Sequence, residues 1–273
     1  MANGAPIPKL LYGTAWKEER TEALTAAALE AGFRGIDTAN QRKHYFEAAV
    51  GKAVQAARVT RGELFLQSKF TFRGGQDQRL PYDPQAPVTQ QVQQSFESTL
   101  QHFATDYLDS FVLHGPTTRG PLAPDDIEAW RAIESLARGG RARFIGVSNV
   151  TAPQLRELLA LAQIQPRFVQ NRCYASAGWD REVRECCAAN GVVYQAFSLL
   201  TANRSELARP AVRELASRRG CSVPELVFRF ARQLGMLPLT GTSSPEHMRL
   251  DLQAVELALP ERELALLESI AGD

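Results

Sequence analysis

Long apolar runs are missing from this 273-residue chain: no segment approaches the roughly 18 uninterrupted apolar residues of a membrane-spanning helix. The opening stretch, Met1 to Gly13, lacks the basic patch and apolar core of a secretory leader, so the expectation is a soluble, cytoplasmic protein with no membrane partner. An excess of one charge is also missing. With 31 Lys and Arg against 30 Asp and Glu the formal net charge is +1, and the basic residues are scattered, which gives no reason to expect nucleic acid as a partner. Cysteine is scarce. Cys173, Cys186, Cys187 and Cys221 show no CxxC or Cys/His spacing, so no metal site is expected and the thiols read as reduced. No low-complexity linker divides the chain, so residues 1–273 are expected to form one domain, and with no oligomer signal a monomer is the default.

What is present is an alternation of strand-like and helix-like runs from end to end, the pattern of a parallel sheet built from βα units. Eight strands are expected: Lys9 to Thr14, Gly35 to Thr38, Leu64 to Lys69, Leu108 to His114, Phe144 to Ser148, Phe168 to Arg172, Val192 to Phe197 and Leu237 to Leu239. Amphipathic stretches lie between them, at Glu19 to Ala31, Glu47 to Ala57, Thr89 to Phe103, Asp125 to Arg138, Pro153 to Ala162 and Arg181 to Asn190. Thr151-Ala152-Pro153 and Ser222-Val223-Pro224-Glu225 read as helix caps, and Gly32, Gly139, Gly191, Gly220 and Gly235 fall where helices should stop. The interval from Ala202 to Gly235 holds two helical patterns, and Pro260 to Ala271 reads as a further helix at the C-terminal end. An open, doubly wound sheet would alternate in the same way. Against it, no GxGxxG follows the first strand, and polar residues end nearly every strand instead of gathering at one switch point. The expected fold is therefore an α/β (β/α)8 barrel with an extra C-terminal helix, which carries its chemistry at the C-terminal ends of the strands.

Those ends carry a coherent set. Asp37, Lys69 and His114 each close an apolar run, and Tyr45 follows shortly after the first. Taken singly, each has a structural reading: a cap, a solvated lysine head, a satisfied histidine, a packed aromatic. Taken together at one barrel mouth they can act as an acid. An ammonium near a phenol eases proton release, a carboxylate keeps that ammonium charged, and a neutral imidazole can hold a substrate oxygen.

Seven stretches then resemble the aldo-keto reductase family in its own order: GIDTA at 35–39, QSK at 67–69, DSFVLHGP at 109–116, GVSN at 146–149, VQNR at 169–172, QAFS at 195–198 and PLTGTSSPEHM at 238–248. The resemblance implies a (β/α)8 barrel that reduces aldehydes and ketones, its small-molecule substrates, with a nicotinamide cofactor bound at the barrel mouth. It assigns catalysis to Asp37, Tyr45, Lys69 and His114. The family pattern runs Asp-Thr-Ala-x-x-Tyr-x-Asn-Glu, but here Glu47 comes two residues late, so counting back from it lands on His44. A subset of the family has Lys-His-Tyr at this point, and the acid is placed on Tyr45 for its phenol, with His44 as the runner-up for that position or a neighbour that tunes the pocket. Ser148, Asn149 and Gln170 match the residues that hold the nicotinamide carboxamide, and Phe197, followed by Ser198, matches the aromatic on which the ring stacks. Gly13, Thr14 and Trp16 follow the first strand, where the family approaches cofactor and substrate. Asn171 and Arg172, just beyond Gln170, face either the pocket or the sheet exterior.

At the cofactor's far end the family's lysine and arginine positions fall on Gly241 and His247. Thr240, Gly241, Thr242 and Ser243 precede a helix start that can still receive a phosphate, so NADPH is expected, with NADH possible. The segment from Thr71 to Val88 is the expected wall of the substrate pocket; Phe70 either lines that pocket or pins the segment, and Trp179 is a further candidate to line it. Relatives continue into a long C-terminal loop over the pocket, whereas this chain ends at Asp273, which implies a more open site and broader substrate use. Two other functions stand beside carbonyl reduction: a cofactor-sensing regulatory subunit with little turnover, and a barrel aldolase with Lys69 as Schiff-base nucleophile, which would leave Ser148, Asn149 and Gln170 unexplained.

Overall fold

Strand-forming apolar runs separated by amphipathic helices can bury both faces of a parallel sheet only if helices cover its outside. The computed structural model of the chain describes residues 5–256 and 258–271, and in it eight parallel strands close on themselves in sequence order. They are β1 (Leu11–Gly13), β2 (Gly35–Asp37), β3 (Phe65–Phe70), β4 (Leu108–Leu113), β5 (Ala142–Ser148), β6 (Phe168–Arg172), β7 (Val193–Phe197) and β8 (Leu237–Thr240), with β8 paired to β1. This is the (β/α)8 barrel, and each strand lies within two residues of its expected bounds.

The outer ring begins with α1 (Thr21–Ala31), α2 (Glu47–Ala56), α3 (Val88–Phe103), α4 (Pro124–Arg138), α5 (Ala152–Leu161) and α6 (Arg181–Ala189). Glu18–Arg20 forms a separate 3-10 turn, so α1 starts two residues later than its pattern suggests, and Gly32 ends it at a φ of 112°. Between β7 and β8 the chain makes three helices where two were expected: α7 (Arg204–Leu207), α8 (Pro210–Arg218) and α9 (Val223–Gln233). A four-residue helix shows no periodicity, and Pro210 opens α8 in its first turn. After β8 come α10 (Pro245–Ala254) and the extra C-terminal helix, α11 (Glu261–Glu268). Asp273, on which the expectation of an open mouth rests, lies outside the described residues.

Side-chain alternation divides each strand between lumen and helix layer. The lower lumen is apolar, packed by Leu11, Phe65, Phe168 and Leu237, with Ala5 and Ile7 beneath them. Phe65 and Phe168 meet edge to face at 5.8 Å. One layer up, the same faces carry Asp37, Gln67, Gln170 and Gln195, so polarity rises toward the mouth. The outer layer is the larger core, where Phe96 of α3 meets Phe111 of β4 at 4.9 Å and Trp130 of α4 is fully buried.

Candidate active site

The apolar runs of β2 and β3 carry Asp37 and Lys69 to the same height in the lumen, both buried. Lys69 Nζ donates to both Asp37 carboxylate oxygens at 2.7 and 2.8 Å and to the Thr38 carbonyl at 2.7 Å, which uses all three of its hydrogens. Asp37 also accepts from Gln67 Nε2 at 2.7 Å and Gln170 Nε2 at 3.0 Å. Burial holds the Lys69 ammonium below the ordinary lysine range, and the Asp37 charge opposes that shift.

Tyr45 and His114 complete the group. The Tyr45 ring lies with its centroid 5.3 Å from Lys69 Nζ and 5.9 Å from the His114 ring, edge to face. Burial, and after it the Asp37 charge, push the Tyr45 phenol above its ordinary range, so it keeps its proton at neutral pH. No described residue accepts a hydrogen bond from that phenol. The imidazole of His114 contacts the Thr71 hydroxyl through Nδ1 at 2.6 Å, and burial, then Lys69, bring its pKa down to about 3, leaving it neutral.

The lengthened loop between β2 and α2 is what delivers Tyr45. The His44 and Tyr45 amides both donate to the Gln41 carbonyl, at 3.3 and 3.0 Å, winding the extra residues into a turn. At the loop's far end, buried Glu47 accepts from Ser68 of β3 and from Thr99 and His102 of α3, at 3.0 and 2.8 Å for the last two. Asn40 Nδ2 donates to the Ser95 carbonyl at 3.1 Å. His44 is turned the other way: its ring stacks on Trp16 at 4.0 Å, and its carbonyl accepts from the Trp16 amide at 2.8 Å. Trp16 itself is 67% exposed on the rim.

A model of the Aldo/keto reductase family matches residues 9–271. The chain belongs to the aldo-keto reductase family. It is 30% identical to an aldo-keto reductase of Mycolicibacterium vanbaalenii over 93% of this chain and 84% of that protein. It is 27% identical to a morphine 6-dehydrogenase of Pseudomonas putida, over 98% of this chain and 89% of that protein. Among solved structures, an aldo-keto reductase from a Medee basin deep-sea metagenome library matches with a TM-score of 0.83 at 21% identity, covering 98% of this chain and 93% of that one.

The residues that aldo-keto reductase resemblance assigns to a nicotinamide cofactor lie around the same mouth. Ser148 donates to the Gln170 carbonyl at 2.6 Å, and Asn149, at a φ of 56°, donates through Nδ2 to the His114 carbonyl at 2.7 Å. Gln170 spends its amide hydrogens on Asp37 and Gln195, while its Oε1 accepts from no described residue and is free for a carboxamide N–H. Phe197 is half-buried with the Arg172 guanidinium 5.4 Å from its ring centre, and Ser198 follows at a φ of 57°. Gly13 and Gly241 face each other across the β1–β8 seam, where a β-carbon on Gly241 would come within 3.8 Å of the Gly13 carbonyl. Thr242 is half-buried, and Ser243 and His247 are exposed at the start of α10. This set fits the cofactor, with the Gln170 Oε1 unpaired among the described residues at one end and two glycines facing each other across the β1–β8 seam at the other.

Some expected residues point elsewhere. Phe70 follows Lys69, so alternation turns it outward, where it packs on Phe72 at 5.1 Å and Tyr82 at 5.6 Å and pins the segment after β3 instead of lining a pocket. Trp179 is fully buried behind the wall; its Nε1 donates to the Leu267 carbonyl at 2.9 Å and docks α11. Thr14 and Thr240 are also buried, with hydroxyls committed to the Asp37 carbonyl at 3.0 Å and the Asp251 carboxylate at 2.7 Å. Asn171 faces outward to Val150 and Asp180, whereas Arg172 stays at the mouth. Sequence reasoning overlooked Gln67 and Gln195, and it placed Thr71 only at the start of the pocket's expected wall, not against His114. The first two begin the QSK and QAFS stretches, where a glutamine inside an apolar strand is itself a signal of a buried polar layer.

Proposed function

We propose that this aldo-keto reductase reduces aldehydes or ketones to alcohols, with Tyr45 as proton donor. The observation that carries the reading is a phenol with no hydrogen-bond partner among the described residues, set beside an Asp37–Lys69 pair and a neutral imidazole at the barrel mouth. A bound nicotinamide supplies the hydride. Tyr45 supplies the proton to the carbonyl oxygen, Lys69 provides the charge that stabilises the resulting phenolate, and Asp37 holds Lys69 in place. The His114 imidazole orients the carbonyl oxygen, and Thr71 orients the imidazole. Ser148, Asn149 and Gln170 are the residues that would hold the nicotinamide carboxamide, with Phe197 as the aromatic beside its ring. Trp16 and His44 form one rim of the substrate pocket.

NADPH is the proposed cofactor, because Thr242, Ser243 and His247 surround the N-terminus of α10 with donors that suit a 2′-phosphate. A cytoplasmic monomer fits the four free thiols and a surface with only Trp16 and Tyr174 as exposed large apolar side chains among the described residues. The test follows nucleotide absorbance with NADPH or NADH and a panel of small aldehydes. Oxidation of NADPH that depends on aldehyde, with a lower KM than NADH, supports the proposal. No oxidation with any aldehyde defeats it, and a clear NADH preference defeats the cofactor assignment.

A further inference from the structure

A carboxylate sits in the helix layer directly behind the wall that carries Lys69. Glu47, the first residue of α2, is only 3% exposed. A glutamate in that place ordinarily serves the unpaired amides of its own helix. Here, among the described residues, both oxygens turn away from α2. One accepts from the Ser68 hydroxyl of β3, and the other from the Thr99 hydroxyl and the His102 imidazole of α3, at 3.0 and 2.8 Å. Apolar side chains could tie α2, β3 and α3 together without the cost of burying a charge, so the charge itself calls for a use.

Its position supplies one. Tyr45 stands two residues before Glu47, and Ser68 stands immediately before Lys69. The contact between Glu47 and Ser68 therefore joins the loop that carries the phenol to the strand that carries the ammonium, from the helix side of a wall whose other side is the lumen. The ionisable groups acting on Lys69 are Asp37 from β2, Tyr45 from the loop, His114 from β4 and Glu47 from α2. Of these, Asp37 and Glu47 bring negative charge, and both oppose the loss of the lysine proton that burial favours. On its far side Glu47 borders a cavity of about 260 Å³, whose other ionisable side chains are Arg42, Tyr45, Arg79 and His102. Arg42 and Arg79 are paired with Glu19 and Asp77, so neither is spent on Glu47.

We propose that Glu47 is a positioning residue for proton donation by Tyr45: it locks the phenol's loop to the Lys69 strand and sets a second negative charge behind the ammonium. This rests on the Tyr45 part of the proposed function, while its electrostatic half needs no turnover. The lock fixes where the phenol stands relative to Lys69, and the charge keeps Lys69 able to stabilise the phenolate.

The test titrates Lys69 by NMR in protein labelled with ¹³C at the lysine ε-carbon, its signal assigned by its loss in Lys69→Arg. The same preparations give kcat, aldehyde KM and the pH profile of kcat. Glu47→Gln keeps the size and removes the charge, Glu47→Asp keeps the charge, and Ser68→Ala breaks the contact with β3 and keeps the charge. In Glu47→Gln the Lys69 midpoint and the alkaline limb of kcat should both move to lower pH by about half a unit or more, because an ammonium that loses a nearby anion gives up its proton more easily. Its kcat should fall about ten-fold, with aldehyde KM within a few-fold of wild type. Ser68→Ala should lower kcat and leave the Lys69 midpoint in place, and Glu47→Asp should hold the midpoint near wild type. A purely structural role would lower the melting temperature and move neither the midpoint nor the profile. A folded Glu47→Gln protein that keeps the wild-type midpoint, or the wild-type kcat where aldehyde is reduced, therefore overturns the inference. A shifted midpoint in a protein that reduces no aldehyde overturns the proposed function and keeps the charge assignment. Should Glu47→Gln fail to fold, Ser68→Ala decides: a lower kcat at unchanged KM supports the lock, and a wild-type kcat contradicts it.

Discussion

At the scale of single residues, the barrel mouth is governed by what burial does to charge. Lys69 is kept charged by a carboxylate held in turn by two glutamine amides, so Asp37→Asn should remove the charge partner while leaving the shape. The expected outcome is a fall in kcat of about 10²-fold or more, measured with saturating nucleotide and aldehyde, with the barrel still folded by circular dichroism. His114 gives a pH prediction with a definite sign. Its pKa is about 3 in the folded chain against an ordinary 6.5, so folding excludes a proton that the unfolded chain binds. The stability it contributes is complete above about pH 6.5 and is lost as pH falls toward 3. Thermal melts between pH 7 and 4 should therefore show a shallower acid decline in His114→Gln than in wild type; parallel declines would refute the buried-neutral assignment. Asp37, Lys69 and His114 were legible in the sequence because each ends an apolar strand. Of the two readings of Phe70, lining the pocket or pinning the segment after β3, the second holds, since Lys69 beside it faces the lumen and alternation sends Phe70 to the opposite side.

At the scale of elements, the two-residue lengthening before α2 decides which side chain reaches Lys69, and the turn on the Gln41 carbonyl answers in favour of Tyr45. The other anchor of that loop is the contact of α2 with α3. A β-carbon on Gly51 would sit 1.9 Å from the His102 carbonyl, and His102 is also a partner of Glu47. Gly51→Ala should separate the two helices, lowering stability by about 1–3 kcal/mol and displacing Tyr45 enough to reduce kcat. A melting curve and a rate measured on one preparation check both effects. Helix α7 escaped sequence reasoning because four residues carry no period, and Trp179 because an aromatic in a loop gives no sign of which layer it enters. The strands were legible because eight short apolar runs, most of them closed by a polar residue, leave few other architectures.

At the scale of the whole molecule, polarity rises along the lumen from a phenylalanine and leucine floor to a glutamine and aspartate layer and then to the open mouth. The floor bears the packing and the mouth carries the candidate site, where this fold places its chemistry. Thiol accessibility reports the intactness of this arrangement. Cys173 and Cys187 are buried, with burial pushing both thiols up to about 12, while Cys186 and Cys221 are partly exposed. A thiol-reactive chromophore at pH 8 should label the second pair quickly and the first pair only on unfolding. The most direct measurement of the central claim is the rate of aldehyde reduction by Tyr45→Phe, beside His44→Ala, at saturating nucleotide. Loss of about 10²- to 10⁴-fold in the tyrosine variant, with NADP+ affinity unchanged and the histidine variant still active, is the predicted result. A Tyr45→Phe enzyme within a few-fold of wild type would contradict it.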